Sequence, residues 1–109
     1  MKINGINVYP LTIENTVMEI SGIKECAIFN YHDEIKGSVI ALAVVKKQDS
    51  NLNRNTIKSF CLNNLSKFMI PEYIFVVKEL PKNAMGKIMK NKIYEYIARA
   101  QMSGEDFYE

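Results

Sequence analysis

Cys26-Ala27-Ile28-Phe29-Asn30-Tyr31-His32-Asp33-Glu34-Ile35-Lys36-Gly37-Ser38-Val39-Ile40-Ala41-Leu42-Ala43-Val44-Val45 is the stretch on which the fold turns. Two apolar runs, Cys26–Phe29 and Val39–Val45, flank a polar connection, Tyr31–Gly37, in which Asp33 and Gly37 are turn formers. Strands joined this closely read as an antiparallel pair. Val39–Val45 is apolar throughout and does not alternate, so it reads as a strand covered on both faces.

Working outward, Lys2–Asn4 reads as a short strand with Gly5 as a turn. Pro10 suits the first turn of a helix, where its missing N–H costs nothing. Ile13, Val17 and Ile20 follow at helical spacing, and Gly22 is the expected stop. Downstream, Gln48–Asn53 is polar linker, and Ile57, Phe60, Cys61, Leu65 and Phe68 trace one apolar helical stripe. Pro71 resets the chain before a third strand, Ile74–Val77. Leu80–Lys87 reads as a loop, Lys90–Arg99 as a last helix with Ile93 and Ile97 on one face, and Ser103–Glu109 as a frayed end. The expected class is α+β: a small sheet, three strands plus the short N-terminal one, covered by about three helices. One domain, residues 1–100, is expected, followed by a short tail, 101–109.

With 109 residues and a formal net charge of +2, the chain is too weakly basic to argue for a nucleic-acid partner. The longest apolar run falls far short of the ~20 residues that span a bilayer, and no basic-then-apolar stretch opens the sequence. No membrane role is therefore expected, and the cytoplasm is the default location. His32 is the only histidine, and Cys26 and Cys61 sit in apolar contexts as small hydrophobes, so no metal site is expected. Lys78, Lys82, Lys87, Lys90 and Lys92 crowd one stretch. They form either a solvated face or a patch for a phosphate-bearing partner.

Lys87 stands within Glu79-Leu80-Pro81-Lys82-Asn83-Ala84-Met85-Gly86-Lys87-Ile88-Met89-Lys90, after a glycine, behind a proline turn and ahead of a helix. Alone it reads as an exposed turn lysine before it reads as a cation held over a reacting anion. Four ordered segments change that. They are Lys2 to Pro10 with Ile13-Glu14; Gly22-Ile23, Ala27-Ile28 and Asp33-Glu34-Ile35-Lys36-Gly37; Lys67-Phe68-Met69-Ile70-Pro71; and Leu80 to Lys87. Together, over residues 2–95, they resemble the C-terminal domain of the adenylate-forming superfamily, which contains the AMP-forming acyl- and aryl-CoA synthetases and the adenylation domains of carrier-protein ligases.

The resemblance implies a mobile lid working with a large N-terminal adenylation domain, in the same chain or in trans, and inactive alone. In that family a carboxylate and ATP, with Mg2+, first give acyl-adenylate and pyrophosphate. The thiol of CoA or of a carrier protein's phosphopantetheine then attacks. Carried over, Lys87 is the catalytic lysine of the first step. Gly86 permits close approach of its loop, and Gly5 faces the active site in the second step and leaves room for the thin pantetheine arm. Lys2 lies near the domain edge, in reach of phosphate or of the partner domain, and Lys90 stands where the family often carries arginine, in reach of phosphates of the acceptor or of ATP; the alternative for each is a solvated surface lysine. Glu14 is expected to be structural, in the first turn of its helix. Thr12 departs from an often acidic family position. Nothing in the sequence supplies a phosphate-binding loop of its own, since Gly86-Lys87 is followed by Ile88. The competing expectation is a non-enzymatic module that binds a carrier protein or regulates. On either reading, Phe107-Tyr108 in the tail is a candidate docking element.

Overall fold

The two apolar runs around Asp33 form one long ribbon in the structure, a computed structural model that describes the backbone of residues 1–103 and the side chains of residues 1–99. Strand β3 (Ile23–Asp33) pairs antiparallel with β4 (Gly37–Lys46), from Ile23 opposite Lys46 to Asp33 opposite Gly37. The strand therefore reaches past Phe29 through Tyr31, His32 and Asp33, which the sequence places in a polar connection. Two interactions carry it there. Tyr31 packs its ring against Tyr73, Phe75 and Tyr94. Asp33 closes a tight turn, its Oδ1 accepting the N–H of Ile35 at 2.8 Å and of Lys36 at 2.9 Å, with Gly37 at φ +80°.

The third strand, β5 (Tyr73–Val76), lies beside β4 and parallel to it, with Ala41 opposite Tyr73 and Val44 opposite Val76. Parallel neighbours need a crossover. Here α2 (Arg54–Asn64) and a short 3₁₀ turn, Lys67–Met69, provide it. The sheet order is β3-β4-β5, so β4 is central and covered on both faces, as its unbroken apolar run requires. Alternate residues of β4 then build two cores. Ile40, Leu42 and Val44 pack with Ile13, Val17, Ile57 and Cys61, under α1 (Pro10–Val17) and α2. Ala41, Ala43 and Val45 pack with Phe29, Phe75, Ile93 and Ile97, under α3 (Ile93–Ser103). The small alanines leave the room that Phe29 and Phe75 fill.

Helix ends depart from the expected ones in three places. Helix α1 stops at Val17 rather than near Gly22; the chain winds on in a tighter turn, with Glu19 N–H donating to Thr16 and Ile20 N–H to Val17, so Ile20 still buries. Helix α2, capped by the Asn53 side chain on Thr56 N–H at 2.9 Å, ends at Asn64 and leaves Phe68 outside it and exposed. The last helix begins at Ile93, after a 3₁₀ turn at Lys90–Lys92. The N-terminal segment is not one strand but a hairpin, β1 (Lys2–Ile3) against β2 (Ile6–Asn7), detached from the main sheet. Its loop is Asn4-Gly5, with φ of 52° and 81°, the positive-φ pair that a two-residue type I′ hairpin demands. Among the described residues no helix is long and apolar enough to cross a membrane. The tail residues Phe107 and Tyr108 lie outside the described residues.

Candidate functional site: the lysine loop

Proline 81 and Met89 close the base of the lysine loop, with Met89 N–H donating to the Pro81 carbonyl at 2.8 Å and Lys82 bridging Ile88 in antiparallel fashion. The loop is thus a small hairpin, more ordered than its sequence implies. Asn83 organises its tip. Its Oδ1 accepts the N–H of Met85 at 2.9 Å and of Lys87 at 3.0 Å, while its own N–H donates to the Lys87 carbonyl at 3.0 Å. Gly86 N–H donates back to the Asn83 carbonyl at 2.9 Å, and Gly86 sits at φ +82°. A Cβ at Gly86 would meet nothing within 4 Å, so glycine is required there by backbone conformation and not by crowding. Lys87 and its neighbour Met85, 92% exposed, stand at the tip.

Two glutamates hold the loop to the body of the domain. Lys82 Nζ lies 2.9 Å from Glu25 Oε2, on β3. Lys90 Nζ pairs with Glu14 Oε2, which also accepts the N–H of Ile28 at 2.7 Å. Glu14 is the fifth residue of α1, past the first turn, so the helix dipole is not its partner. Instead it ties the free edge of β3 to the segment that follows Lys87. Beside it, the Cys26 thiol donates to the Glu14 carbonyl at 3.7 Å, and burial first, then the Glu14 charge, pushes the thiol pKa up to about 12. That thiol is inert at neutral pH. Lys87, in contrast to Lys82 and Lys90, has no carboxylate within ion-pair distance among the described residues.

Lys87, Gly86 and Lys90 line one open groove together with Glu25, Lys82 and Asn83. Gly5 and Lys2 are elsewhere. The Asn4-Gly5 turn is fastened by Asn4 Nδ2 donating to the Ser38 carbonyl at 2.9 Å, at the turn end of the β3–β4 ribbon, and Lys2 is exposed on β1. A Cβ at Gly5 would also meet nothing within 4 Å. The candidate residues thus divide between two separate edges of the domain. Asn83 and Glu25 carry parts of the site that sequence reasoning did not single out. The signal for Asn83 was present, since an asparagine two residues before an exposed turn caps its own backbone. For Glu25 there was none, because its partner is fifty-seven positions away in the chain.

The small mixed sheet and its helices are an architecture shared with known proteins. Residues 12–87 match the AMP-binding enzyme C-terminal domain family. The 2-succinylbenzoate–CoA ligase of Listeria monocytogenes is 36% identical over 91 residues, covering 84% of this chain and 19% of that protein. The long-chain-fatty-acid–CoA ligase of Salmonella typhimurium is 35% identical over 91 residues, covering 84% of this chain and 16% of that one. Among solved structures, apo MatB from Rhodopseudomonas palustris has a TM-score of 0.80 at 28% identity, over 87% of this chain and 19% of that chain. The chain belongs to the AMP-binding enzyme C-terminal domain family, the C-terminal domain of the adenylate-forming superfamily. It spans less than a fifth of the length of these relatives.

Proposed function

We propose that the chain is the lid of an AMP-forming acid–thiol ligase and acts together with an N-terminal adenylation domain. In the first step the substrate carboxylate attacks the α-phosphorus of ATP and pyrophosphate leaves, giving the acyl-adenylate. Two anions meet in that step, and negative charge grows on the phosphoryl oxygens as they do. A cation fixed at that point lowers the barrier more than it stabilises the separated reactants. Lys87 is the group on this chain that fits. The observation that carries the reading is that its ammonium has no carboxylate partner among the described residues, at the tip of a loop whose flanking lysines, Lys82 and Lys90, are both neutralised by glutamates. The charge left over is a single point charge on a flexible stem, aimed outward. In the second step a thiol attacks the acyl carbonyl and AMP leaves. The Asn4-Gly5 turn, narrow and open at its tip, is the edge suited to a thin pantetheine arm. The named relatives are CoA ligases, which favours CoA over a carrier protein as the thiol donor.

On this reading ATP and Mg2+ are bound by the N-terminal adenylation domain. The decisive experiment pairs the chain with its N-terminal adenylation domain and follows ATP–pyrophosphate exchange. Wild-type chain restores exchange, and Lys87→Ala restores about a hundredth of it or less. Equal restoration by both would show that Lys87 is not the catalytic lysine.

A further inference from the structure

Lys82 lies five positions before Lys87 and Lys90 three after it, and each is tied to a different element of the domain body, β3 and α1 respectively. The two ties differ in kind. Glu25 makes a single ion pair from a strand surface. Glu14 makes a junction: one oxygen, Oε2, receives both the Ile28 N–H and the Lys90 ammonium. Ile28 is on β3, whose far edge carries no strand, so its N–H needs a partner from outside the sheet. Glu14 is the more sheltered of the pair, its side chain 14% exposed against 44% for Lys90. A carboxylate already oriented by a backbone N–H holds a fixed place, so the ammonium that pairs with it is fixed as well. From Lys90 back to Lys87 the chain is only three residues, and the Met89 to Pro81 hydrogen bond closes the loop between them.

On the reading of Lys87 given above, we infer that Glu14 is a positioning residue for adenylation. It acts through Lys90 to set where the Lys87 loop leaves the domain. Lys90 is then a strut and not a phosphate ligand. Displacing a catalytic group by about 1 Å can cost up to a hundredfold in rate. Loosening the strut therefore lowers kcat of adenylation and leaves substrate KM in place, and it leaves the thiol-transfer step, served by the other edge, unaffected.

The test uses Glu14→Gln, which keeps an oxygen for the Ile28 N–H and removes the charge, together with Lys90→Met, Lys90→Arg and the Glu14→Gln/Lys90→Met double variant. Glu72→Gln, which breaks the exposed Lys36–Glu72 pair, serves as control. Each is assayed with the N-terminal adenylation domain for ATP–pyrophosphate exchange, and for thioester formation from preformed acyl-adenylate. In the isolated chain, amide exchange at Gly86 and Lys87 is followed by NMR. The expected result is a kcat for adenylation lowered about tenfold in Glu14→Gln and in Lys90→Met, no further loss in the double variant, recovery in Lys90→Arg, and faster amide exchange at Gly86 and Lys87. Thioester formation and the Glu72→Gln control stay within twofold of wild type. The inference falls if Lys90→Met raises KM for ATP while Glu14→Gln does not, since Lys90 then contacts phosphate directly. It falls equally if the two single losses multiply in the double variant, or if both half-reactions drop together. Lys87→Ala, run in parallel, separates the two ideas. Loss of adenylation there with no effect of Glu14→Gln overturns the strut and spares the lid. Retained adenylation in Lys87→Ala overturns the role given to Lys87, and the amide exchange at Gly86 and Lys87 still decides whether Glu14 positions the loop.

Discussion

Replacing Asn83 by alanine should loosen the lysine loop while leaving the rest of the domain almost untouched. Asn83 Oδ1 accepts two of the four hydrogen bonds that join Asn83 to the Met85–Lys87 tip, those from Met85 and Lys87 N–H. Alanine removes both and keeps the two backbone bonds. A net protein hydrogen bond contributes about 0.5–1.5 kcal/mol, and the freed N–H groups here are at an exposed tip where water replaces the lost partner. The local cost is therefore at the lower end, about 1 kcal/mol for the pair. At 1.4 kcal/mol per factor of ten, loop opening becomes roughly fivefold more frequent. Global stability falls by no more than about 0.5 kcal/mol, because surface changes away from the core stay in that range. Hydrogen exchange by NMR reads the first quantity at the Lys87 amide, and urea unfolding the second. Asn83→Asp keeps the acceptor and should preserve the exchange protection. Unchanged protection at Lys87 in Asn83→Ala would refute the role given to the side chain. A global loss above about 2 kcal/mol would show that the loop is part of the cooperative core instead.

Two further outcomes follow from the titrating groups. Cys26 and Cys61 are buried, and burial raises both thiol pKa values, that of Cys26 to about 12, so neither should react with a thiol reagent at pH 8 until the chain is unfolded; rapid native labelling of either would contradict this. Asp33 is held down to about 2, first by the Tyr73 hydroxyl that donates to it and then by the Lys36 and Ile35 N–H groups. A depressed carboxylate contributes stability that is full above its unfolded value near 3.8 and is lost as pH falls through about 2. Asp33→Asn should therefore flatten the decline of thermal midpoint between pH 4 and 2, and an unchanged slope would remove Asp33 as its source.

The parts of the fold that showed in the sequence are those set by one local signal. Val39–Val45 announced a strand buried on both sides because no residue in it tolerates water, and β4 is the central strand. Pro10 marked a helix start for a reason internal to proline, and α1 begins there. The parts that did not show depend on distant partners. Tyr31–Asp33 reads as polar connection until Tyr73, forty positions on, packs on Tyr31 and donates to Asp33. Nothing local to Tyr73–Val76 says that it lies parallel to β4, since strand direction is settled by the crossover. The lysine loop divides in the same way. Pro81, Gly86 and Lys87 could be singled out from the chain alone, whereas the braces at Glu14 and Glu25 exist only once β3 and α1 have been folded against them. Asn4-Gly5 is a different case, a strong local hairpin signal that the glycine alone understates.

The separation of the two candidate edges bears on how a single domain could serve two chemical steps. The hairpin turn is fastened at Ser38, opposite His32, whereas the lysine loop is fastened between Ile28, opposite Leu42, and Glu25, opposite Val45. At ~3.4 Å per residue the two attachments are roughly 14–24 Å apart along the ribbon. Between them run the fully buried residues Ala41, Leu42, Ala43 and Val44, packed on both faces. A core packed to that density does not flex by such distances, because it has discrete arrangements and not continuous ones. Neither edge can therefore be delivered to the other's position by bending within the domain. On the proposed reading, exchanging Lys87 for the Asn4-Gly5 turn at one active site requires the whole domain to turn as a rigid body against its partner. The two glutamate braces then have a physical purpose, since a catalytic lysine carried on a moving body arrives in register only if its loop is rigid with respect to that body.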